Sequence, residues 1–138
     1  MPEVSLLPAL EKGYVTLVSP NSMFKLVPRT LALWARLLSE VANSRLVLAT
    51  VPQSEARQRM LDEFARHGID AARIDFAQNT SRQGFWELLQ GVDLALDSFP
   101  CNGGATTSET LWMGVPVVSL SGNVFVSRAG LSLLTNAG

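Results

Sequence analysis

Short β-rich runs alternate with segments of helical period along most of the chain, and few architectures accept that order. It is the pattern of strand and helix units stacked around a mostly parallel sheet. The strands read as Tyr14 to Val18, Arg45 to Thr50, Arg73 to Ala77, Leu94 to Asp97 and Val117 to Leu120. Between the first two, Leu31, Trp34, Leu37, Leu38 and Val41 recur at helical spacing behind Pro28, a good first-turn residue. Gln53 to His67 reads as a charged amphipathic helix that stops at Gly68, and Ser81 to Gln90 as a third helix carrying Phe85, Trp86, Leu88 and Leu89. Thr106 to Met113 and Arg128 to Thr135 make two more, while residues 1–13 stay unassigned. With 138 residues, 47% of them hydrophobic, the chain supplies one core, and residues 1–138 are read as one domain.

Five strands in this order predict the doubly wound arrangement, in which strand one lies beside strand four and the strand order reverses between them. Ligands bind at that reversal. The loop after strand one contains SPNSMFK and the loop after strand four contains SFPCNGGATTSE, so Lys25 and a Gly/Thr-rich hinge are expected to face one crevice.

Charge and processing signals narrow the setting. The formal net charge is −1 with acids and bases interspersed, which gives no basic face for nucleic acid and no polybasic segment for a membrane surface. Cys101 is the single cysteine, so no internal disulfide forms and a reducing compartment fits. The N-terminal MPEVSLLPALEKG has an acid and prolines where a secretion signal would have bases and a long apolar core, and no run approaches the length of a membrane span. A soluble, cytoplasmic protein is expected.

The hinge supports two readings. Thr106 can cap the following helix while Glu109, three residues on, reaches back to complete a capping box, with Gly103 and Gly104 allowing a sharp turn and Trp112 packing on the sheet. A helix N-terminus also presents unpaired N–H groups and about half a positive charge, and glycines let a phosphate approach the backbone. Neither GxGxxG nor GxxxxGK[ST] is present, which disfavours a dinucleotide fingerprint or a P-loop.

The run DSFPCNGGATTSETLWMGVPVVSLSG followed by SRAGLSLL, together with NSMFK, LALWARLLSEVANSRLVL, RHGIDAARIDF and VDLALDSFP upstream, resembles the catalytic region of the protein O-GlcNAc transferase (SPINDLY-like) family from about Thr16 onward. The resemblance implies a Rossmann-like α/β domain forming the C-terminal half of a GT-B glycosyltransferase, which binds UDP-N-acetylglucosamine as donor substrate and needs no metal or other cofactor. It implies three further partners: an acceptor protein modified on Ser or Thr, a companion N-terminal catalytic half, and a TPR region. On this resemblance Lys25 is the lysine that contacts the donor diphosphate and is needed for activity, with Asn21 in the same loop. Gly103 and Gly104 form the diphosphate-binding turn, Thr106 is a threonine of that turn, and Glu109 accepts hydrogen bonds from the ribose hydroxyls. Phe85 stands where the family commonly has a histidine near the nucleobase; its ring can stack on uracil but cannot donate a hydrogen bond. Ala105 replaces a usual threonine and Thr50 a usual basic residue.

Glu109 cannot easily serve the ribose and cap its own helix, so one of its two readings must fail. The alternatives in function are a noncatalytic nucleotide-binding module or decayed fragment, and a regulatory domain of the same fold. Other residues are read structurally. His67 is expected to meet carbonyls at a helix end, Trp34, Trp86 and Trp112 to lie in the core, and Asp93 and Asp97 to lie on one side of the sheet without a metal partner. Arg128 either reinforces the last helix or approaches the donor, and Cys101 lacks a basic neighbour that would activate it.

Overall fold

A computed structural model describes residues 3–77 and 81–138. The chain runs through α1 (Pro8–Lys12), β1 (Val15–Ser22), α2 (Pro28–Glu40), β2 (Ser44–Thr50), α3 (Glu55–Arg66), β3 (Ile74–Phe76), α4 (Arg82–Gln90), β4 (Leu94–Leu96), α5 (Ala105–Trp112), β5 (Val117–Val118) and α6 (Ala129–Ala137). Single 3-10 turns precede α2, β3 and α6, at Met23–Lys25, Ala71–Arg73 and Phe125–Ser127. All four strand pairings are parallel and the sheet order is β3-β2-β1-β4-β5, the reversal expected from the sequence.

Adjacent residues on each strand point to opposite faces, and the parallel sheet is covered on both. Leu17, Leu46 and Leu48 face α2 and α3, where they meet Leu31, Trp34, Leu38 and Phe64. Val18, Val47 and Ala95 face the other way, toward Leu89 of α4 and Met113 and Val115 at the end of α5. Helices α4 and α5 therefore lie side by side on one face.

Two elements depart from the reading of the sequence. β1 continues four residues past Val18, through Pro20 and Asn21 to Ser22. Pro20 has no N–H to give the ladder, and the register slips between Ser19, opposite Leu48, and Ser22, opposite Thr50. The Thr50 hydroxyl donates to the Asn21 carbonyl and holds this irregular end to β2. The outer strands are conversely shorter than expected, β5 keeping only Val117–Val118 and β3 losing Arg73 to a 3-10 turn. Arg73 instead gives its guanidinium to the carbonyls of Leu38, Val41 and Ser44.

The unassigned N-terminal stretch contains α1, which begins at Pro8 and ends on Gly13 at φ 74°, a conformation that suits glycine. Buried Asp93 fixes it: one carboxylate oxygen accepts from the Ala9 N–H at 2.7 Å and the other from the Thr16 N–H at 2.8 Å. Truncation of Asp93 strands both donors, and a buried N–H without a partner costs about 1–3 kcal/mol. Asp93→Ala should lower the stability measured by urea unfolding by about 2 kcal/mol; a change within about 0.5 kcal/mol, the range of an ordinary surface substitution, would contradict this account.

Candidate functional site

At the reversal point β1 and β4 lie side by side, and Asp97, the residue after β4, is 5% exposed. Its Oδ1 accepts from Asn21 Nδ2 at 3.0 Å and from the Gly103 N–H at 2.7 Å, while Oδ2 accepts from Ser119 Oγ at 2.7 Å. One carboxylate thus joins the end of β1, the hinge after β4 and the segment after β5. Asn21, also buried, accepts a hydrogen bond from the Thr106 hydroxyl on Oδ1 at 2.8 Å. Gly103 and Thr106 are thereby held against the end of β1 from two sides.

Lys25 leaves the 3-10 turn after β1 and its Nζ donates to the Asn102 carbonyl at 2.9 Å. Asn102 is itself buried and stitched in place: its N–H donates to the Val126 carbonyl at 2.8 Å, its Nδ2 to the Ser98 carbonyl at 2.9 Å, and its Oδ1 accepts from the Gly130 N–H at 3.2 Å. The ammonium therefore sits one residue before the glycine pair, on the carboxyl edge of the sheet and beside the start of α5. Lys25 and the hinge lie next to each other, as the strand order requires.

The capping-box reading of the hinge is corrected by the structure. α5 starts at Ala105 with Gly104 as its N-cap, and no side chain caps it. Thr106 lies inside the first turn and gives its hydroxyl to Asn21. Glu109 does not reach back; its Oε1 pairs with Arg82 Nη2 at 2.7 Å. The opening N–H groups of a helix have no partner within it, so the mouth of α5 carries partial positive charge next to the Lys25 ammonium. Trp112, expected in the core, is 68% exposed, because the face of α5 that packs inward is the one carrying Thr107, Thr110 and Met113.

Of the residues singled out from the sequence, Asn21, Lys25, Gly103, Gly104 and Thr106 gather around Asp97 and Asn102. Glu109 lies one turn along α5 from the hinge. Phe85, half-buried on α4, packs against the core cluster of Val18 and Leu89, one turn beyond Arg82. Asp93 and Asp97 stand at opposite ends of β4, each engaged by protein donors. His67 faces the Glu63 carboxylate at 3.6 Å rather than terminal carbonyls. Arg128 donates to the Gly122 carbonyl at 3.2 Å, which ties down the segment before α6. Cys101 is half-buried beside Asn102.

Comparisons with known proteins show the family and the fold. A profile described as "Glycosyl transferase family 41" matches residues 9–138. The chain belongs to glycosyl transferase family 41. A protein of Arabidopsis thaliana described as a probable UDP-N-acetylglucosamine–peptide N-acetylglucosaminyltransferase SPINDLY is 39% identical over 137 residues, covering 95% of this chain and 15% of its own length. A UDP-N-acetylglucosamine–peptide N-acetylglucosaminyltransferase of Caenorhabditis elegans is 30% identical over 114 residues, covering 83% of this chain and 10% of its own. A solved structure, a lysine-to-methionine mutant of the Thermobaculum terrenum O-GlcNAc transferase, superposes with a TM-score of 0.85 at 30% identity, over 89% of this chain and 24% of that one. The family 41 chain thus has the doubly wound α/β fold of a fragment of a GT-B enzyme, and it spans about a seventh of the length of the curated plant relative it matches. Among the described residues no helix is long and apolar enough to cross a membrane.

The hinge geometry makes Gly103 irreplaceable in a way that Gly104 is not. A Cβ at Gly103 would come within 2.7 Å of both Asn21 Oδ1 and Thr106 Oγ1 and would also meet buried Thr107 Oγ1, whereas one at Gly104 meets nothing within 4 Å. Gly103→Ala should therefore destabilise the fold by about 1–3 kcal/mol, the usual cost of overpacking, in urea or thermal unfolding. An unfolding midpoint equal to that of the unsubstituted chain would show that the hinge is not packed as described.

Proposed function

We propose that this domain is the donor-binding half of a protein O-glycosyltransferase, and that it seats the diphosphate of UDP-N-acetylglucosamine between Lys25 and the amino end of α5. One observation carries the reading: the Lys25 ammonium, 2.9 Å from the Asn102 carbonyl, stands beside an uncapped helix mouth. A fixed ammonium and a set of backbone N–H groups together suit a pyrophosphate, since each offsets negative charge without having to reorganise. Membership of family 41 and the names of the relatives supply the donor and the acceptor class.

In the reaction, a Ser or Thr hydroxyl oxygen of an acceptor protein attacks the anomeric carbon of the sugar. The bond from that carbon to the diphosphate oxygen breaks, and UDP leaves with inversion at the carbon. Charge builds on the departing diphosphate, and Lys25 with the α5 amides stabilises it there. No metal is assigned a part. Gly103 and Gly104 let the backbone come close to the phosphates. The Thr106 hydroxyl donates a hydrogen bond to Asn21 Oδ1, so it reaches a phosphate oxygen only by releasing that bond, and Asn21 acts by holding the turn. Glu109, with two acceptor oxygens, suits the ribose hydroxyls, and the capping role that would have competed is gone. Phe85, half-buried on α4, is the ring proposed to stack on the uracil.

The acceptor hydroxyl must also lose its proton, and no side chain of the site described here is a persuasive base. That step is assigned to the companion N-terminal half or to the acceptor's own approach, with the TPR region as the further partner. The 138-residue chain is accordingly expected to bind UDP weakly and to transfer sugar slowly or not at all. Calorimetric titration with UDP should give measurable heat for the unsubstituted chain and an affinity about tenfold lower for Lys25→Ala, in line with the loss of one hydrogen bond to a charged group. Absence of heat for both proteins, or equal affinities, would remove the donor-site assignment.

A further inference from the structure

The ion pair that replaces the expected capping box has a place in the site. Arg82 is the first residue of α4, whose start is fixed by Ser81 Oγ accepting from the Gly84 N–H at 3.0 Å. From there the guanidinium lies over the Trp86 ring, 5.1 Å from its centroid, and reaches across to α5 to donate to Glu109 Oε1 at 2.7 Å. Stacking on the indole and pairing with the carboxylate fix the arginine at two points, and it bridges α4 and α5 on the face that carries Phe85. Glu109 sits on the rim, its side chain 30% exposed, where an untethered carboxylate would turn among rotamers.

We infer that Arg82 is a positioning residue: through its ion pair it holds the Glu109 carboxylate in the orientation that reads a vicinal diol, and so sets the preference of the site for a ribonucleotide over a deoxyribonucleotide. The inference rests on the reading of Glu109 as the ribose partner. A carboxylate has two oxygens and about four acceptor positions, and one guanidinium N–H at Oε1 takes a single position. Acceptor capacity for two neighbouring hydroxyls is left, in a direction that is already set. Orientation paid for before binding lowers the ordering cost when the ligand arrives. The effect is modest because Arg82 is 71% exposed and water and salt screen the pair.

The test is calorimetric titration of the full chain with UDP and with 2′-deoxy-UDP at one fixed ionic strength, reading the ratio of the two affinities. The unsubstituted chain should prefer UDP. Arg82→Ala should shrink that preference about threefold, the scale of an exposed ion pair, and Arg82→Lys should restore part of it because the charge remains while the planar fork is lost. Glu109→Gln should abolish most of the preference, and Arg82→Ala added to it should change the ratio no further. Equal loss of affinity for both ligands in Arg82→Ala would reduce the arginine to general attraction for an anion and overturn the inference, as would no change for either or tighter binding of UDP. Those outcomes leave the ribose role of Glu109 standing. A chain that binds UDP without preferring it over the deoxy ligand, or does not bind UDP, removes that role and the inference with it.

Discussion

Every part of the crevice leans on the carboxylate of Asp97. It is buried at the end of β4, and its three hydrogen bonds go to three separate segments: Asn21 on β1, the Gly103 N–H in the hinge and Ser119 after β5. A buried acceptor of this kind is stable only when fully engaged, and once engaged it allows its partners few other arrangements. Asn21 passes the constraint on to Thr106, and the hinge passes it to Asn102, on whose carbonyl Lys25 rests. The ammonium and the mouth of α5 are thus placed by one network and not by two independent loops.

The diphosphate seat proposed here is compatible with a formal net charge of −1. The positive potential comes from one lysine and from peptide dipoles at a helix end, both local and both fixed by buried polar partners. The two faces of the sheet do different work around it. Helices α2 and α3 with the larger cluster around Leu38 and Phe64 hold β1 and β2 rigid, while α4 and α5 on the opposite face carry Phe85, Arg82 and Glu109 to the rim.

The topology was legible because parallel strands joined by helices leave a strong periodic trace, and strand order then follows from few alternatives. The pairing of Lys25 with the glycine hinge followed from that order. Other features leave no such trace. The end of β1 was hidden by Ser19-Pro20-Asn21, which reads as a turn, whereas tertiary pairing with Thr50 keeps it in the sheet. Asp97 and Asn102 have no periodicity or spacing that marks a buried hub; their weight lies in contacts with residues more than 70 positions away in Asn21 and Lys25. Glu109 fitted a local capping box by spacing, but α5 begins two residues earlier than that motif needs and Arg82 takes the carboxylate across helices. The face of α5 that packs inward carries Thr107, Thr110 and Met113 and leaves Trp112 at the surface. Local readings failed where a long-range polar contact offered a better partner, at the rim of the site for Glu109 and beside β2 for Arg73.

The central claim is that a diphosphate sits between the Lys25 ammonium and the first-turn amides of α5. Amide chemical shifts recorded by NMR while UDP is added test it most directly. The account predicts shifts concentrated at Gly103, Gly104, Ala105, Thr106 and Thr107 and at Lys25, with the amino edge of the sheet around Asp93 and Thr16 unmoved. Shifts that cluster at that amino edge, or spread without reaching the hinge, would contradict it.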